Sequence, residues 1–172
     1  ANAHLHRGEV FLTMGQAENA LPCIEQALTI KSDYLEALLL KSRALKRLGR
    51  AAEALKIDQQ ALALAPSSPQ ARFNIADTLI LMGGQKEAMF QLEILATDNP
   101  EFVEAYVRKG TLLYQMGQMS EALNAFEQGI ALNSRIAKLH VGRGLILILM
   151  ERLDEALASY NLALELAPDE AE

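Results

Sequence analysis

The residues able to do chemistry are few and badly placed for it. The chain has three histidines, His4, His6 and His140, and one cysteine, Cys23. His4 and His6 stand two apart, on different sides of a helix, whereas two helical ligands to one metal would sit at i and i+4. A lone cysteine allows neither an intrachain disulfide nor a multi-cysteine zinc site. No glycine run precedes the Lys-Ser or Lys-Thr of a phosphate-binding loop. The carboxylates fall where solvated helix faces put them, so acid, base and nucleophile do not converge. No catalytic residue, metal or cofactor is expected.

Composition narrows the classes further. The chain of 172 residues is long enough to bury a self-sufficient core. Its net charge of −6 disfavours a general polyanion binder, which needs many cations on phosphates, so no nucleic acid is expected as partner. The longest apolar run, "LILILM" at 145–150, lies close to Arg143, Glu151 and Arg152. It is far short of the roughly 18 to 20 residues that span a bilayer. The opening "ANAHLHRGEV" lacks the order of a secretion signal, and the chain reads as a mature fragment. No compartment is assigned, with the cytoplasm favoured.

The elements that would position a site emerge from self-similarity. Alanine recurs at Ala20, Ala54, Ala88, Ala122 and Ala156, always 34 residues apart. Small residues recur at Gly8, Ser42, Ala76, Gly110 and Gly144, and a further column runs through Ala27, Ala61, Leu95, Gly129 and Ala163. Gly15, Gly49, Gly83 and Gly117 form a column that Glu151 breaks. Pro66, Pro100 and Pro168 mark unit ends. Five units tile the chain as 1–34, 35–68, 69–102, 103–136 and 137–170, leaving 171–172 as a tail of a single domain. Apolar residues at helical spacing on both sides of each glycine make every unit a helical hairpin, and hairpins must stack to bury their apolar faces. The methionine column, Met14, Met82, Met116 and Met150 with Leu48, reads as core filling. Asp58 falls in the bulky column of Ile24, Leu92, Phe126 and Tyr160, where a carboxylate needs a partner; Lys41 on the same hairpin is the candidate.

The period and columns, with Gly8, Phe11, Gly15, Ala20, Ile24 and Ala27 as the first of five copies, resemble the tetratricopeptide repeat family over residues 1–170. The chain departs from the family's large aromatic early in each first helix, carrying His4, Leu38, Arg72, Tyr106 and His140 there. The resemblance implies an all-α fold, a right-handed superhelical solenoid of five hairpins, whose concave face is lined by the first helices and binds an extended or helical peptide. It also implies where that groove lies: Leu5, Leu39, Phe73, Val107 and Val141 in one column, with Arg43 and Leu145, Lys46, Ile80, Tyr114 and Ile148, and Arg47 and Leu149 in others. Asn74 and Arg108 belong to the same surface. A chaperone-tail clamp would need a lysine in the Leu5 column, which has none.

Repeat two carries Lys41, Arg43, Lys46, Arg47, Arg50 and Lys56 against Glu36, Glu53 and Asp58, a local charge of +3. Arg43, Lys46 and Arg47 are expected to point into the groove, either as a solvated face or as an anchor for acidic side chains, with apolar side chains accepted elsewhere. The leading expectation is a non-catalytic scaffold for protein–protein interaction. The alternatives are a targeting or regulatory arm of a larger enzyme, such as a glycosyltransferase or sulfotransferase, and a module that self-associates through its terminal repeats in place of a capping helix. Within "GLILILM", Ile146, Leu147 and Met150 match core columns, while Leu145, Ile148 and Leu149 match groove columns.

Overall fold

Each 34-residue period folds as two helices joined by one left-handed residue. The computed structural model describes residues 1–167; the unit end at Pro168 and the tail at 171–172 lie outside them. The ten helices among the described residues are α1 (Asn2–Thr13), α2 (Ala17–Ile30), α3 (Leu35–Arg47), α4 (Ala51–Leu64), α5 (Pro69–Leu81), α6 (Gln85–Asp98), α7 (Val103–Gln115), α8 (Met119–Leu132), α9 (Ala137–Leu149) and α10 (Leu153–Leu166). No strand occurs among the described residues. The chain divides into two compact units, Ala1–Gln91 and Leu92–Glu172, with the boundary inside α6.

The turn inside each hairpin has the same geometry. Gly15, Gly49, Gly83 and Gly117 adopt φ of 76°, 72°, 80° and 76°. That left-handed residue lets the next amide reach back to close the helix end, as in Gln16 N–H to Phe11 C=O at 2.8 Å and Gln118 N–H to Leu113 C=O at 2.9 Å. Glu151 breaks the glycine column but not the turn: it takes φ of 60°, and Arg152 N–H still reaches Leu147 C=O at 2.9 Å. The surrounding helices therefore impose a conformation that a side chain resists.

The two helices of a hairpin close on a small residue facing a large one sixteen positions later. A Cβ on Gly8 would stand 2.7 Å from Ile24, one on Gly110 2.8 Å from Phe126, and one on Gly144 2.9 Å from Tyr160. Backbone and bulky side chain thus interlock at a separation that only a small residue permits. Neighbouring hairpins join by a second pattern, ten positions apart. In unit one Ala27 and Ala37 lie in one core cluster with Leu5, Leu12 and Ile24, and Ala61 and Ala71 lie in another with Leu38. In unit two Gly129 receives Leu139. Ion pairs in corresponding positions, Lys41 to Glu25 at 2.9 Å and Arg143 to Glu127 at 3.1 Å, lie across the α2–α3 and α8–α9 joints.

Two sequence expectations are corrected by this packing. Met14, Met82 and Met116 are exposed rather than core-filling, because the residue before the left-handed turn projects past the last helical turn, where no neighbour covers it. Lys41 does not partner Asp58, since its ammonium is taken by Glu25; the Asp58 carboxylate instead accepts the Thr78 hydroxyl at 2.6 Å.

Candidate functional site

In unit one the first helices α3 and α5 form the walls of a cleft of about 570 Å³. Its lining includes Leu39, Leu40, Arg43, Lys46, Arg47, Phe73, Asn74, Asp77 and Leu81. The three cations expected to act together have different fates. Lys46 is held by Asp77 at 3.1 Å, and the Arg47 guanidinium donates to the Leu12 carbonyl. Arg43 is exposed, and among the described residues no hydrogen bond or ion pair engages it. Asn74 is buried, and its Oδ1 accepts from Gln70 at 3.2 Å, so it shapes the floor rather than reaching outward.

Beneath that cleft lies a polar cluster that sequence reasoning placed only in part. Asp58 and Ser42 repeat the large–small pairing of Ile24 with Gly8, but with a carboxylate and a hydroxyl. Burial pushes the Asp58 carboxyl above the usual carboxylate range, opposed by Ser42, Thr78, the Lys46 charge and Asn74. The approach of Ser42 is electrostatically favourable yet poorly aligned: Ser42 Oγ and Asp58 Oδ1 both lack a well-formed hydrogen bond. The aligned contact to Thr78 is the one that counts structurally.

In unit two a cavity of about 670 Å³ opens among α7, α8, α9 and α10. Val107, Thr111, Tyr114 and Gln115 line it from α7, Lys138, Val141, Gly142 and Leu145 from α9, Phe126 from α8, and Tyr160, Ala163 and Leu164 from α10. Gly142 is required there, since a Cβ would lie 2.4 Å from the Phe126 ring. Its neighbours in the column, Leu40, Asn74 and Arg108, concealed this, and only the chain's departure to glycine signalled it. Arg143 stands behind the cavity wall, donating to Ser159 at 2.7 Å and pairing with Glu127. His140 is buried, with Nε2 2.8 Å from the Ser134 carbonyl, which makes that nitrogen the protonated one.

The fifteen residues expected to line a groove therefore separate into four sets. Leu39, Arg43, Lys46, Arg47, Phe73 and Asn74 line the unit-one cleft. Val107, Tyr114, Val141 and Leu145 line the unit-two cavity. Ile80, Arg108, Ile148 and Leu149 line neither; the last two are exposed on α9, and Ile80 and Arg108 are half-buried. Leu5 is a correction: it is buried in the core with Leu12 and Ile24, because α2 and α3 cover that side of α1, and it offers a ligand no surface. Among the described residues no group of three His, Cys, Asp or Glu could hold a metal, and no helix is long and apolar enough to cross a membrane.

This hairpin geometry has a counterpart in sequence. The profile described as Tetratricopeptide repeat matches residues 5–69 and 107–171. The chain belongs to the tetratricopeptide repeat family. Members are protein-interaction scaffolds, non-catalytic as a rule. Among solved structures, a thermophilic TPR protein of Thermus thermophilus is similar at 24% identity and a TM-score of 0.86, covering 98% of this chain and 92% of that one. MamA of Desulfovibrio magneticus RS-1 is similar at 20% identity and a TM-score of 0.75, covering 99% and 97%. PilF of Pseudomonas aeruginosa is similar at 20% identity and a TM-score of 0.84, covering 96% of this chain and 75% of that one. Identities this low speak for the fold alone. No curated protein matches the chain in sequence.

Proposed function

We propose that this tetratricopeptide repeat protein is a non-catalytic scaffold that binds a segment of another protein bearing an acidic side chain or carboxylate beside apolar ones. The observation that carries the reading is Arg43. It is an exposed cation without a partner among the described residues, set in a cleft with Leu39, Phe73 and Leu81, while its neighbours Lys46 and Arg47 are already engaged. A guanidinium in that position matches a carboxylate bidentately, and the flanking apolar groups suit the side chains next to it. Unit two has a cavity of its own, to which Tyr114, Val141 and Leu145 give an apolar wall.

The test begins with co-purification from the native source and peptide mapping of what is retained. Affinity for the mapped peptide is then measured against salt and against Arg43→Ala. The reading requires that raising salt weakens binding and that Arg43→Ala weakens it about ten-fold or more, the loss of a charge-assisted pair. Affinity indifferent to both salt and Arg43→Ala would discard it.

A further inference from the structure

A buried carboxylate lies under the unit-one cleft where the fold needs none. One period earlier, Ile24 fills the same place against Gly8 without a charge. Asp58 is 0% exposed, and of the roughly four hydrogen bonds that an ionised carboxylate can accept it receives one aligned donor, the Thr78 hydroxyl at 2.6 Å. Its Oδ1 has no well-formed partner among the described residues. Ser42 and Lys46 approach it from α3, and Asn74 and Thr78 from α5. The other charges of these three helices are turned elsewhere: Lys41 to Glu25, Arg47 to the Leu12 carbonyl, Arg72 to Gln91 and Glu53 to Arg50, with Glu36, Arg43 and Lys56 exposed. Among the described residues Lys46 is therefore the cation that acts on Asp58. Its side chain is 11% exposed, and its ammonium already pairs with Asp77 at 3.1 Å in the cleft.

We propose that Lys46 couples the cleft to Asp58, so that an anionic side chain taken up beside Arg43 and a proton on Asp58 favour one another. The inference rests on the reading of the cleft as an acceptor of acidic segments, and it makes the buried carboxyl the pH sensor of that cleft. Lys46 is shared by two carboxylates, Asp77 in the cleft and Asp58 beneath it, and a ligand anion adds a third claim on the same ammonium. With Asp58 ionised, part of that positive charge is drawn inward. With Asp58 protonated, it is available to the cleft. Lys46 and Asn74 both line the cleft and act on Asp58, so the two sites share side chains. Burial favours the neutral form of Asp58, which therefore still exchanges its proton at a pH where the exposed acidic side chains of a partner are ionised. By linkage, whatever factor the proton adds to anion affinity, the anion adds to proton affinity. Anion binding is thus tighter below the pH at which Asp58 loses its proton and weaker above it.

Carbon-13 NMR of the full chain follows the Asp58 carboxyl directly. Asp77→Asn removes the anion that the cleft holds against Lys46, and should lower the proton affinity of Asp58 about two- to five-fold, the effect of one nearby charge in a partly screened site. Made together with Lys46→Gln, the same change should move Asp58 less. A second arm uses a synthetic probe, the acetylated and amidated tripeptide of leucine, cysteic acid and leucine, whose sulfonate stays ionised throughout. The unaltered chain should bind it about two- to five-fold more tightly below the Asp58 midpoint than above, and Asp58→Asn should bind it with the tighter affinity at every pH. An Asp58 midpoint indifferent to Asp77→Asn, or an equal shift with and without Lys46, overturns the proposal. So does a pH dependence of binding that is absent from the unaltered chain or that persists in Asp58→Asn. A probe that fails to bind counts against the cleft reading, and the Asp77 arm, which needs no ligand, still decides the coupling.

Discussion

Leu139 occupies the space that a side chain on Gly129 would fill: its Cδ2 lies 2.6 Å from where a Cβ there would stand. The corresponding pairs at Ala27–Ala37 and Ala61–Ala71 divide the same space evenly. The α8–α9 joint has thus exchanged two medium residues for one absent and one large side chain. Gly129→Ala should destabilise by about 1 kcal/mol, overpacking outweighing the gain in helix propensity. Leu139→Ala should cost about 2–5 kcal/mol through the cavity it leaves. The double variant recreates the alanine pair and should be more stable than the sum of the single changes by about 1 kcal/mol or more. Urea denaturation of the four proteins measures the coupling; strict additivity would mean that the two residues do not share the space.

Asp58 makes stability depend on pH in a direction opposite to that of a paired carboxylate. Its folded-state pKa is raised by burial, so between the ordinary carboxylate range and that raised value the folded chain holds more protons than the unfolded one. Its contribution is therefore most favourable below about pH 4 and is lost as pH rises through the raised value. Asp58→Asn keeps an acceptor for the Thr78 hydroxyl and supplies a donor toward Ser42 Oγ. The variant should be more stable at pH 7 by about 1–3 kcal/mol, the penalty of an unsatisfied buried group, with the difference shrinking toward acid. Denaturation across pH checks the sign; a difference that grows toward acid contradicts the assignment.

Glu151 is the one non-glycine residue at positive φ among the described residues. Glu151→Gly should stabilise by about 0.5–1 kcal/mol, relief of left-handed strain exceeding the added freedom of the unfolded chain. Gly117→Ala, in the same column with open space around it, should lose about 1 kcal/mol. Melting temperatures that move in these opposite directions confirm that the turn, not a side-chain contact, sets both effects.

The run "LILIL" of α9 divides residue by residue. Ile146 and Leu147 are fully buried, while Leu145, Ile148 and Leu149 are exposed. Ile148→Glu should change stability by no more than about 0.5 kcal/mol, whereas Leu147→Ala should cost about 2–5 kcal/mol. Equal losses in a thermal scan would show that the outward face is covered within the single chain.

Hairpins, their turns and the columns of small and bulky residues were legible in the sequence because they repeat, whereas the interlocking of small with large sixteen positions on came from the structure. A column of five residues averages out the ambiguity of any one, and helical periodicity assigns its face. The column method failed where one member departs in size or polarity. It put Lys41 beside Asp58, although Lys41 faces across the joint to Glu25, and it put Leu5 in the groove, although packing by α2 and α3 encloses it. Gly142 and Thr78 were missed as determinants for the same reason: each matters through one neighbour in space, Phe126 and Asp58 respectively.

By itself the sequence determined the helices and their pairing, because backbone preference and apolar periodicity are local and here are stated five times. Only the tertiary structure decided which of the three repeat-two cations stays available, since Asp77 and the Leu12 carbonyl, 31 and 35 residues away, claim the other two. Charge at a surface is a property of what surrounds it, and here the surroundings are the first helices of the neighbouring hairpins, whose polar residues differ from one period to the next.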